Sequence, residues 1–532
     1  MSNSHWFEHA RWFEEARFGM FITWSPIYAT GDRNGWFIDF EGIPPEEFEK
    51  WAETFNPKVD MKDWVALAKE AGMKYICFSA KSHDGFCMFD TKMTPFNSMN
   101  IPAQRDFVAE LAQACEEEGI VLCLYYSLLD WHQPDYRTDF KKYVDFCQEQ
   151  LRELATKYGK IGVFWFDGDH TAHEWRAEET IQLLRELQPN VLVNNRIRLA
   201  GDFDTPEQRG VAFPVHPGTG DRFFESCMTI NGSWSYAPYD LAHKSVTTLI
   251  RLLADNAGKG GNFLLNVAPD FEGRIQSEHV ERLREVGAWL KEHGESIYCT
   301  QGSLWRALPF GRCTVRDNRI YLHIFDWPNQ PLSLSGLTNR VKSAYLLPNK
   351  ESVSFEQDRL WLTLHLLADA PNPHDSVVVL EIEGEPQVDE TIQPDPQRCI
   401  TLPASLATVM ATAGMRFQQG LSGPGYLADW KSMRDSIGWG WDLNSEAEGD
   451  YQVQITYSNG QQLGGGRYSV TVNGQRLVAT AMPTGGWDRY AAATLGSVKL
   501  KSGRNRLVLR GELLPYESVM RLVQVILKPT KV

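Results

Sequence analysis

The chain has 532 residues, of which 43% are hydrophobic and 23% are charged, and its formal net charge is −15. Because a single hydrophobic core stops growing well below this length, we expect two or three domains. The acidic balance argues against nucleic acid and against an anionic membrane surface as partners. No apolar run of the sequence reaches the length of a transmembrane helix.

The nine cysteines are scattered along the chain, and no two of them form a CxxC pair. This usage is typical of free thiols in a reducing compartment. The first residues, MSNSHWFEHARWFEEARFG, lack the basic start and the apolar centre of a signal peptide. We therefore expect a cytoplasmic protein, and we leave its oligomeric state open, a homo-oligomer included.

Near-continuous apolar runs alternate with amphipathic segments over the first 300 residues. Such runs are typical of parallel strands that are covered on both faces. The amphipathic segments begin at acidic residues and end at glycines, as helices do. Seven strand–helix units predict a (β/α)8-type barrel in which one unit is weak or missing. The predicted strands are 17–24, 74–80, 121–127, 161–167, 191–196, 223–230 and 262–268.

The remainder of the chain reads as short strands separated by turn signals. Residues 301–385 predict a small β-sandwich, and the acidic, proline-rich stretch 386–397 predicts a linker. Residues 398–532 predict a second β-sandwich, with NG and SG turns between its strands. The predicted fold class is therefore α/β, with a (β/α)8-type barrel at residues 1–300 followed by two all-β sandwich domains.

Polar and aromatic residues collect where the predicted barrel strands end, which is where barrels of this type place their active sites. Two carboxylates flanked by aromatic, histidine and arginine side chains suit glycoside cleavage, because one carboxylate faces the anomeric carbon and the other the leaving oxygen. The residues at these ends are Ser82, His83, Asp84, Tyr125, Tyr126, Asp130, Trp131, His132, Trp165, Asp167, Asp169, His170, Asn194, Asn195, Arg196, Asp202, Asp204, Glu207, Glu225, Trp234 and Tyr236.

Eight blocks in this order resemble glycoside hydrolase family 29, the α-L-fucosidases. The resemblance implies a retaining exo-hydrolase that cleaves terminal α-L-fucosyl residues from glycans on a barrel followed by a β-sandwich, with neither a metal nor an organic cofactor. The blocks are RFGMFITWS, AKEAGMKYICFSAKSHDGFCMFD, LYYSLLDWHQPDY, VFWFDGD, VNNRI, GDFDTPEQ, ESCMTINGSWSY and GKGGNFLLNVAPDFEGRI.

Carried over residue by residue, the resemblance makes Asp167 the nucleophile. It places the general acid/base at Glu225, in the ESCMT block, or at Glu207, in the TPEQ loop. We expect Glu225, because the block around it matches more closely. The side chains that the resemblance places on the sugar are Thr23, Trp36, His83, Tyr126, Trp165, Arg196 and Trp234.

Three positions depart from the family pattern. Thr23 and Ser82 stand where the family has histidines, and Gly35 stands where a Glu precedes the tryptophan. Because buried hydrogen-bond partners discriminate strongly between sugars, the same chemistry on another α-L-sugar is an alternative, for example on an α-L-galactoside or a substituted fucose. Asp32 or Asp39 would then supply the missing contact. A second alternative is a catalytically degenerate carbohydrate-binding protein.

The last domain resembles, less specifically, a carbohydrate-binding module of the β-sandwich type. Its candidate sugar platforms are Trp439, Trp441, Trp487 and Tyr490, of which Trp441 and Trp487 suit the core of a sandwich equally well.

Asp169, His170 and His173 lie close together in sequence at the end of the fourth strand, where a metal cluster is an alternative interpretation. Asp130 and His132 could join it. The HxxH spacing falls on a loop with no glutamate between the histidines, which does not match a metalloprotease helix. We therefore predict no metal site.

Overall fold

A computed structural model of the chain describes residues 5–31, 43–168, 173–358, 361–412, 414–460, 464–516 and 518–530. Its first part is a curled parallel sheet in which the strands follow the order β5-β4-β3-β2-β1-β7-β6. All seven predicted barrel strands are confirmed, with ends that differ by a few residues. The strands are β1 (Phe18–Ile22), β2 (Tyr75–Lys81), β3 (Val121–Ser127), β4 (Val163–Asp167), β5 (Leu192–Val193), β6 (Glu225–Thr229) and β7 (Asn262–Val267).

Amphipathic helices cover the outside of this sheet. Asp60, Asp106 and Asp139 each accept a hydrogen bond from a backbone N–H in the first turn of the helix that follows, which fixes three of the helix starts. Among the described residues, none of the helices is long and apolar enough to cross a membrane. The helices are α1 (Arg11–Ala16), α2 (Pro45–Thr54), α3 (Met61–Glu70), α4 (Phe107–Glu118), α5 (Asp135–Thr138), α6 (Phe140–Lys157), α7 (Ala177–Leu187), α8 (Val246–Gly258) and α9 (Ser277–His293).

The edge strands β5 and β6 are joined through an irregular stretch, residues 203–208, which we call the closing segment. Phe203 forms a parallel bridge with Asn194, next to β5. Further along, Asp204 bridges Phe224 and Glu207 bridges Cys227 of β6. The closing segment therefore lies between the two edge strands, in place of a regular eighth strand. The sequence predicted that one unit would be weak or missing, without locating it.

Alternate residues of the parallel strands point into the barrel. A buried cluster inside it includes Tyr75, Cys77, Cys123, Tyr125 and Trp165. Side chains of the intervening positions face the helices instead. This alternation decides which of two neighbouring residues at a strand end can reach the active site.

Two antiparallel sheets with a core of their own follow the barrel. One sheet has the order β13-β12-β16-β10-β9-β8 and the other the order β11-β15-β14. On the barrel side, Asp255 of α8 pairs with Arg312 of β9 in a buried ion pair. The strands are β8 (Gln301–Gly302), β9 (Gly311–Arg316), β10 (Arg319–Ile324), β11 (Leu332–Ser335), β12 (Val341–Leu346), β13 (Glu351–Ser352), β14 (Ser354–Asp358), β15 (Trp361–His365) and β16 (Ser376–Ile382).

A second pair of antiparallel sheets completes the chain. The first has the order β19-β20-β27-β22-β25, with β17 also paired to β27, and the second has the order β18-β21-β26-β23-β24. The strands are β17 (Ile400–Pro403), β18 (Thr408–Met410), β19 (Arg416–Gln418), β20 (Tyr426–Ala428), β21 (Ser436–Leu443), β22 (Gly449–Asn459), β23 (Gly466–Val472), β24 (Gln475–Ala481), β25 (Gly486–Leu500), β26 (Gly503–Leu513) and β27 (Arg521–Pro529).

Two of the four candidate sugar platforms lie inside this second sandwich. Trp439 and Trp441 of β21 are buried in its core, so they are not available to a sugar. Trp487 is partly exposed, and Tyr490 is 37% exposed.

Candidate active site

Arg196 joins two carboxylates at the carboxyl end of the barrel. It lies on the 3-10 helix Asn195–Ile197, just after β5. Its Nη1 donates to Asp167 Oδ1 over 2.9 Å, and its Nη2 donates to Glu207 Oε2 over 2.8 Å. One guanidinium therefore holds the last residue of β4 and a residue of the closing segment side by side.

Asp167 is fixed from its second oxygen as well. The Tyr125 hydroxyl donates to Oδ2 over 3.2 Å, and His83 Nε2 lies 3.7 Å from the same oxygen. The His83 ring is oriented by a 2.6 Å hydrogen bond between Nδ1 and the Ser127 hydroxyl. Even so, the Asp167 side chain is 25% exposed, so one side of the carboxylate faces open space.

Glu207 is held in place and yet remains accessible. Trp234 Nε1 donates to Glu207 Oε1 over 3.1 Å, while the backbone bridge to Cys227 fixes the residue in the closing segment. The Glu207 side chain is 44% exposed. A carboxyl in this position can exchange protons with a bound molecule or with water.

Charges at the site shift the pKa values of their neighbours. Burial alone would lower the pKa of Arg196, but the charges of Asp167 and Glu207 outweigh it and raise that pKa above its ordinary value. Burial, followed by the negative charge of Asp167, raises the pKa of the Tyr125 hydroxyl well above its usual range. Burial and the charges of Asp84 and Asp167 do the same for Tyr28. Arg196 therefore stays cationic, and both tyrosines keep their protons.

Glu225 lies at the opposite end of the barrel strands from Asp167. It is the first residue of β6 and only 1% exposed. Trp165 Nε1 donates to its Oε1 over 3.0 Å, and the Tyr75 hydroxyl donates to its Oε2. Burial raises the pKa of Glu225 to about 7, partly offset by these two hydrogen bonds. Both Glu225 oxygens therefore accept hydrogen bonds inside the barrel, away from Asp167 and Glu207.

Tyr126, expected to contact the sugar, lies on the outer face of the sheet. It is fully buried, and its hydroxyl donates to Gln150 Oε1 of α6 over 2.6 Å. Its neighbour Tyr125 faces the site instead, because successive residues of a strand point to opposite faces. The two-residue alternation along β3 is the signal that could have separated them.

Thr23 and Trp165 lie behind the surface of the site. The Thr23 hydroxyl donates to the Trp234 carbonyl and lies 3.0 Å from Asn266 Oδ1, so it fixes the loop that carries Trp234. Trp165 is 2% exposed, and the Arg196 guanidinium carbon lies 4.8 Å from its ring centre. Both residues support the groups that face the pocket. Tyr28, which the sequence did not single out, is buried close enough to Asp167 and Tyr125 to interact with them electrostatically.

Several sequence expectations fall outside the described residues. They concern Asp32, Gly35, Trp36, Asp39, Asp169 and His170.

The described acidic and histidine side chains at the other strand ends have partners within the protein. Asp130 forms a buried ion pair with Lys81, and His132 pairs with Glu49. Ser82 is buried beside this strand end. Over the described ranges, no three or more histidine, cysteine or acidic side chains come together in a way that could hold a metal ion.

Comparisons with known proteins agree with this architecture. A model of the α-L-fucosidase family matches residues 3–295. The α-L-fucosidase of Branchiostoma floridae is 30% identical over 367 residues, which are 60% of this chain and 79% of that protein. The solved isoenzyme 1 from Paenibacillus thiaminolyticus is 36% identical, with a TM-score of 0.67, over 71% of this chain and 99% of its own.

A second solved structure extends the likeness of fold to both sandwiches. The α-L-fucosidase from Vibrio sp. strain EJY3 covers 97% of this chain and 97% of its own, with a TM-score of 0.77 and 24% identity. The family match itself spans more than half of the chain. The chain belongs to the α-L-fucosidase family.

Proposed function

We propose that the protein is a retaining α-L-fucosidase that removes terminal α-L-fucosyl residues from glycans. The observation that carries this proposal is the arginine bridge between Asp167 and Glu207 at the open end of the barrel. Retaining glycosidases use two carboxyl groups held close together, one as nucleophile and one as acid/base. A relative from Bacteroides thetaiotaomicron, 28% identical over 70% of this chain, is described as a covalent intermediate trapped with 2-fluoro-fucosyl fluoride.

In the first step, an Asp167 oxygen attacks the anomeric carbon and forms an ester with the sugar. The bond from that carbon to the leaving oxygen breaks, and Glu207 gives its proton to the departing group. Arg196 and Tyr125 hold the Asp167 carboxylate during the attack. Each donates to a different oxygen of the carboxylate, so together they fix its orientation.

In the second step, Glu207 takes a proton from water as the water oxygen attacks the anomeric carbon. The ester bond breaks, Asp167 leaves as a carboxylate, and the sugar is released with its original anomeric configuration. The exposure of Glu207 supports this role, because both the leaving group and water must reach it.

The assignment of the acid/base to Glu207 replaces our preference for Glu225. Glu225 is buried and bonded to Tyr75 and Trp165, so a proton on it has no open path to a glycosidic oxygen. Glu207 shares Arg196 with the nucleophile and opens to solvent. The choice therefore rests on position rather than on the similarity of the surrounding block.

Hydrolysis of aryl α-L-fucosides, with the anomer of the released sugar followed by NMR, tests the proposal. We expect retention, together with loss of turnover when Asp167 is replaced. An inverted product would overturn the mechanism. Turnover of aryl α-L-galactoside in preference to fucoside would favour the alternative sugar, and binding without turnover would favour a degenerate binding protein.

For the second sandwich, we propose carbohydrate binding on a surface group of side chains, Tyr426, Trp487, Tyr490 and Arg521. The Arg521 guanidinium carbon lies 4.8 Å from the Tyr426 ring centre and 4.7 Å from that of Trp487. Aromatic faces next to a cation suit the C–H surface and the hydroxyls of a sugar. Affinity electrophoresis of Trp487→Ala in gels that contain fucosylated glycan should show weaker retardation than the wild type, with unchanged mobility in plain gels. Equal retardation would contradict the proposal.

A further inference from the structure

The buried carboxyl of Glu225 contacts the underside of the site through one tryptophan. Trp165 Nε1 donates to Glu225 Oε1, and the Arg196 guanidinium rests over the face of the same indole. We propose that Glu225 is a positioning residue, which fixes the Trp165 indole and thereby holds Arg196 between Asp167 and Glu207. This inference rests on the proposed function, in which Asp167 and Glu207 carry the chemistry.

The indole of Trp165 needs such an anchor. Tyr125 stacks against it with ring centres 5.7 Å apart, and the ring centre of Phe21 lies 5.4 Å away. These contacts constrain the plane of the indole but not the direction in which its N–H points. A buried indole N–H that lacks an acceptor costs free energy, so the orientation that reaches Glu225 is strongly favoured. The hydrogen bond therefore selects one orientation of the ring.

Glu225 is itself held from the other side. The Tyr75 hydroxyl donates to its Oε2, which leaves Oε1 directed at Trp165. Burial raises the pKa of Glu225 to about 7, so the carboxyl carries a proton for part of the time at neutral pH. A neutral acid can still accept from Trp165 with one oxygen and donate to Tyr75 with the other. A glutamine can make the same two contacts.

The indole in turn sets the place of the arginine. Arg196 Nε donates to the Thr205 hydroxyl over 3.0 Å, so the side chain is tied at one edge to the residue two before Glu207. Its face rests on Trp165, and its two terminal nitrogens hold the two carboxylates. Displacement of reacting groups by about 1 Å can cost on the order of 100-fold in rate. A tilted indole would therefore affect turnover more than sugar binding.

The test uses Glu225→Leu, Glu225→Gln and Tyr75→Phe in the full-length protein, with kcat and KM measured on an aryl α-L-fucoside. We expect Glu225→Leu to lower kcat about 10- to 100-fold with a smaller change in KM. Glu225→Gln should recover most of that loss. Tyr75→Phe keeps the shape of the core while loosening Glu225, so it should lower kcat in the same direction, by less, even if the leucine variant does not fold.

Glu14→Leu is the matched control. Glu14 is also a buried glutamate near the amino end of the barrel, where it accepts a hydrogen bond from the Trp6 backbone. Its loss should lower the melting temperature without changing kcat. A leucine variant of Glu225 that folds and keeps wild-type kcat would overturn the positioning role, as would a glutamine variant no better than leucine.

A double-mutant cycle with Trp165→Phe separates this role from general stability. If Glu225 acts through the indole, the losses in kcat from Trp165→Phe and Glu225→Leu should not multiply. Fully multiplied losses would contradict the proposal.

Glu207→Gln separates failure of the inference from failure of the proposed function. If Glu207→Gln keeps full turnover of an alkyl fucoside while Glu225→Gln abolishes it, Glu225 is the acid/base and both proposals fail. If Glu207→Gln loses turnover as expected and the Glu225 variants do not, only the positioning role fails.

Discussion

Glu207 and Glu225 lie in neighbouring segments of the barrel and yet occupy opposite environments. The closing segment pairs with β6 through Glu207 and Cys227, two residues beyond Glu225. The Glu207 side chain is 44% exposed at the open end, whereas Glu225 is 1% exposed in the interior. The difference shows that a carboxylate at the start of a barrel strand becomes part of the core, while one at the carboxyl end can act on a ligand.

The largest effect is expected at Asp167, the nucleophile, which shares Arg196 with Glu207 and not with Glu225. Asp167→Gly should lower kcat on the order of 10⁴-fold or more, because no other group forms the ester. Added azide should restore part of the turnover and yield a fucosyl azide. Asp145→Asn, which removes an exposed carboxylate of α6 that pairs with Arg176, is the control and should leave kcat unchanged.

Replacing Glu207 by Gln should reveal a dependence on the leaving group. We expect about 10²- to 10⁴-fold slower hydrolysis of an alkyl α-L-fucoside, whose leaving oxygen needs a proton. Hydrolysis of a dinitrophenyl fucoside should be much less affected in its first step, because that group leaves without protonation. Steady-state rates and burst amplitudes on the two substrates measure this. Equal loss on both would speak against an acid role for Glu207.

We expect Glu225, the buried glutamate, to affect how stability depends on pH rather than to act as an acid in catalysis. Burial raises the pKa of Glu225 from 4.5 to about 7, so the folded protein holds this proton more tightly than the unfolded chain does. As pH rises from about 4.5 to about 7, the Glu225 carboxyl ionises in the unfolded chain before it ionises in the folded protein. It therefore lowers the free energy of unfolding progressively, by up to about 3 kcal/mol.

Thermal unfolding of wild type and Glu225→Gln across this range checks the sign. The glutamine variant should gain stability relative to the wild type as pH rises and should show a constant difference above about pH 8. A difference that does not vary with pH would contradict it.

The smallest expected effect concerns two neighbouring tyrosines. Tyr125→Phe removes a hydrogen bond to the Asp167 carboxylate and should lower kcat about tenfold. Tyr126→Phe removes the hydroxyl contacts to Gln150 and Cys147 on the helix side, so it should lower stability by about 1 kcal/mol without changing kcat. Comparable kcat losses in both variants would mean that strand alternation does not decide which tyrosine serves the site.

The regular part of the barrel could be predicted because most of its strands are near-continuous apolar runs. Runs such as 121–127 and 262–268 are buried on both faces, and such runs are distinctive in a sequence. The closing segment could not be predicted in this way. It reads FDTPEQ, a polar stretch with a proline, and only its bridges to the two edge strands reveal its place.

The site was predicted in part. Asp167, His83, Arg196 and Trp234 came from ordered sequence blocks, and the structure brings them together at one end of the barrel. The choice between the two glutamates depended on burial, which a block of similar sequence does not record.

The burial of Trp439 and Trp441 in the second sandwich could have been predicted from the sequence. In SIGWGWDL, Ile437, Trp439, Trp441 and Leu443 occupy every second position, and all four are buried. A period of two with apolar residues on one face indicates a core-facing set. Tyr426 of β20 and Trp487 of β25, which are partly exposed, show no comparable pattern, so only the structure places them beside Arg521.

The closing segment also bears on the number of residues that can separate Asp167 from Glu207. Three single bridges, rather than a continuous ladder, join it to the strands on either side. Residues could be inserted or removed around it without shifting the register of the seven strands. We therefore expect the number of residues between Asp167 and Glu207 to tolerate change in this chain, provided that Glu207 keeps its contact with Arg196.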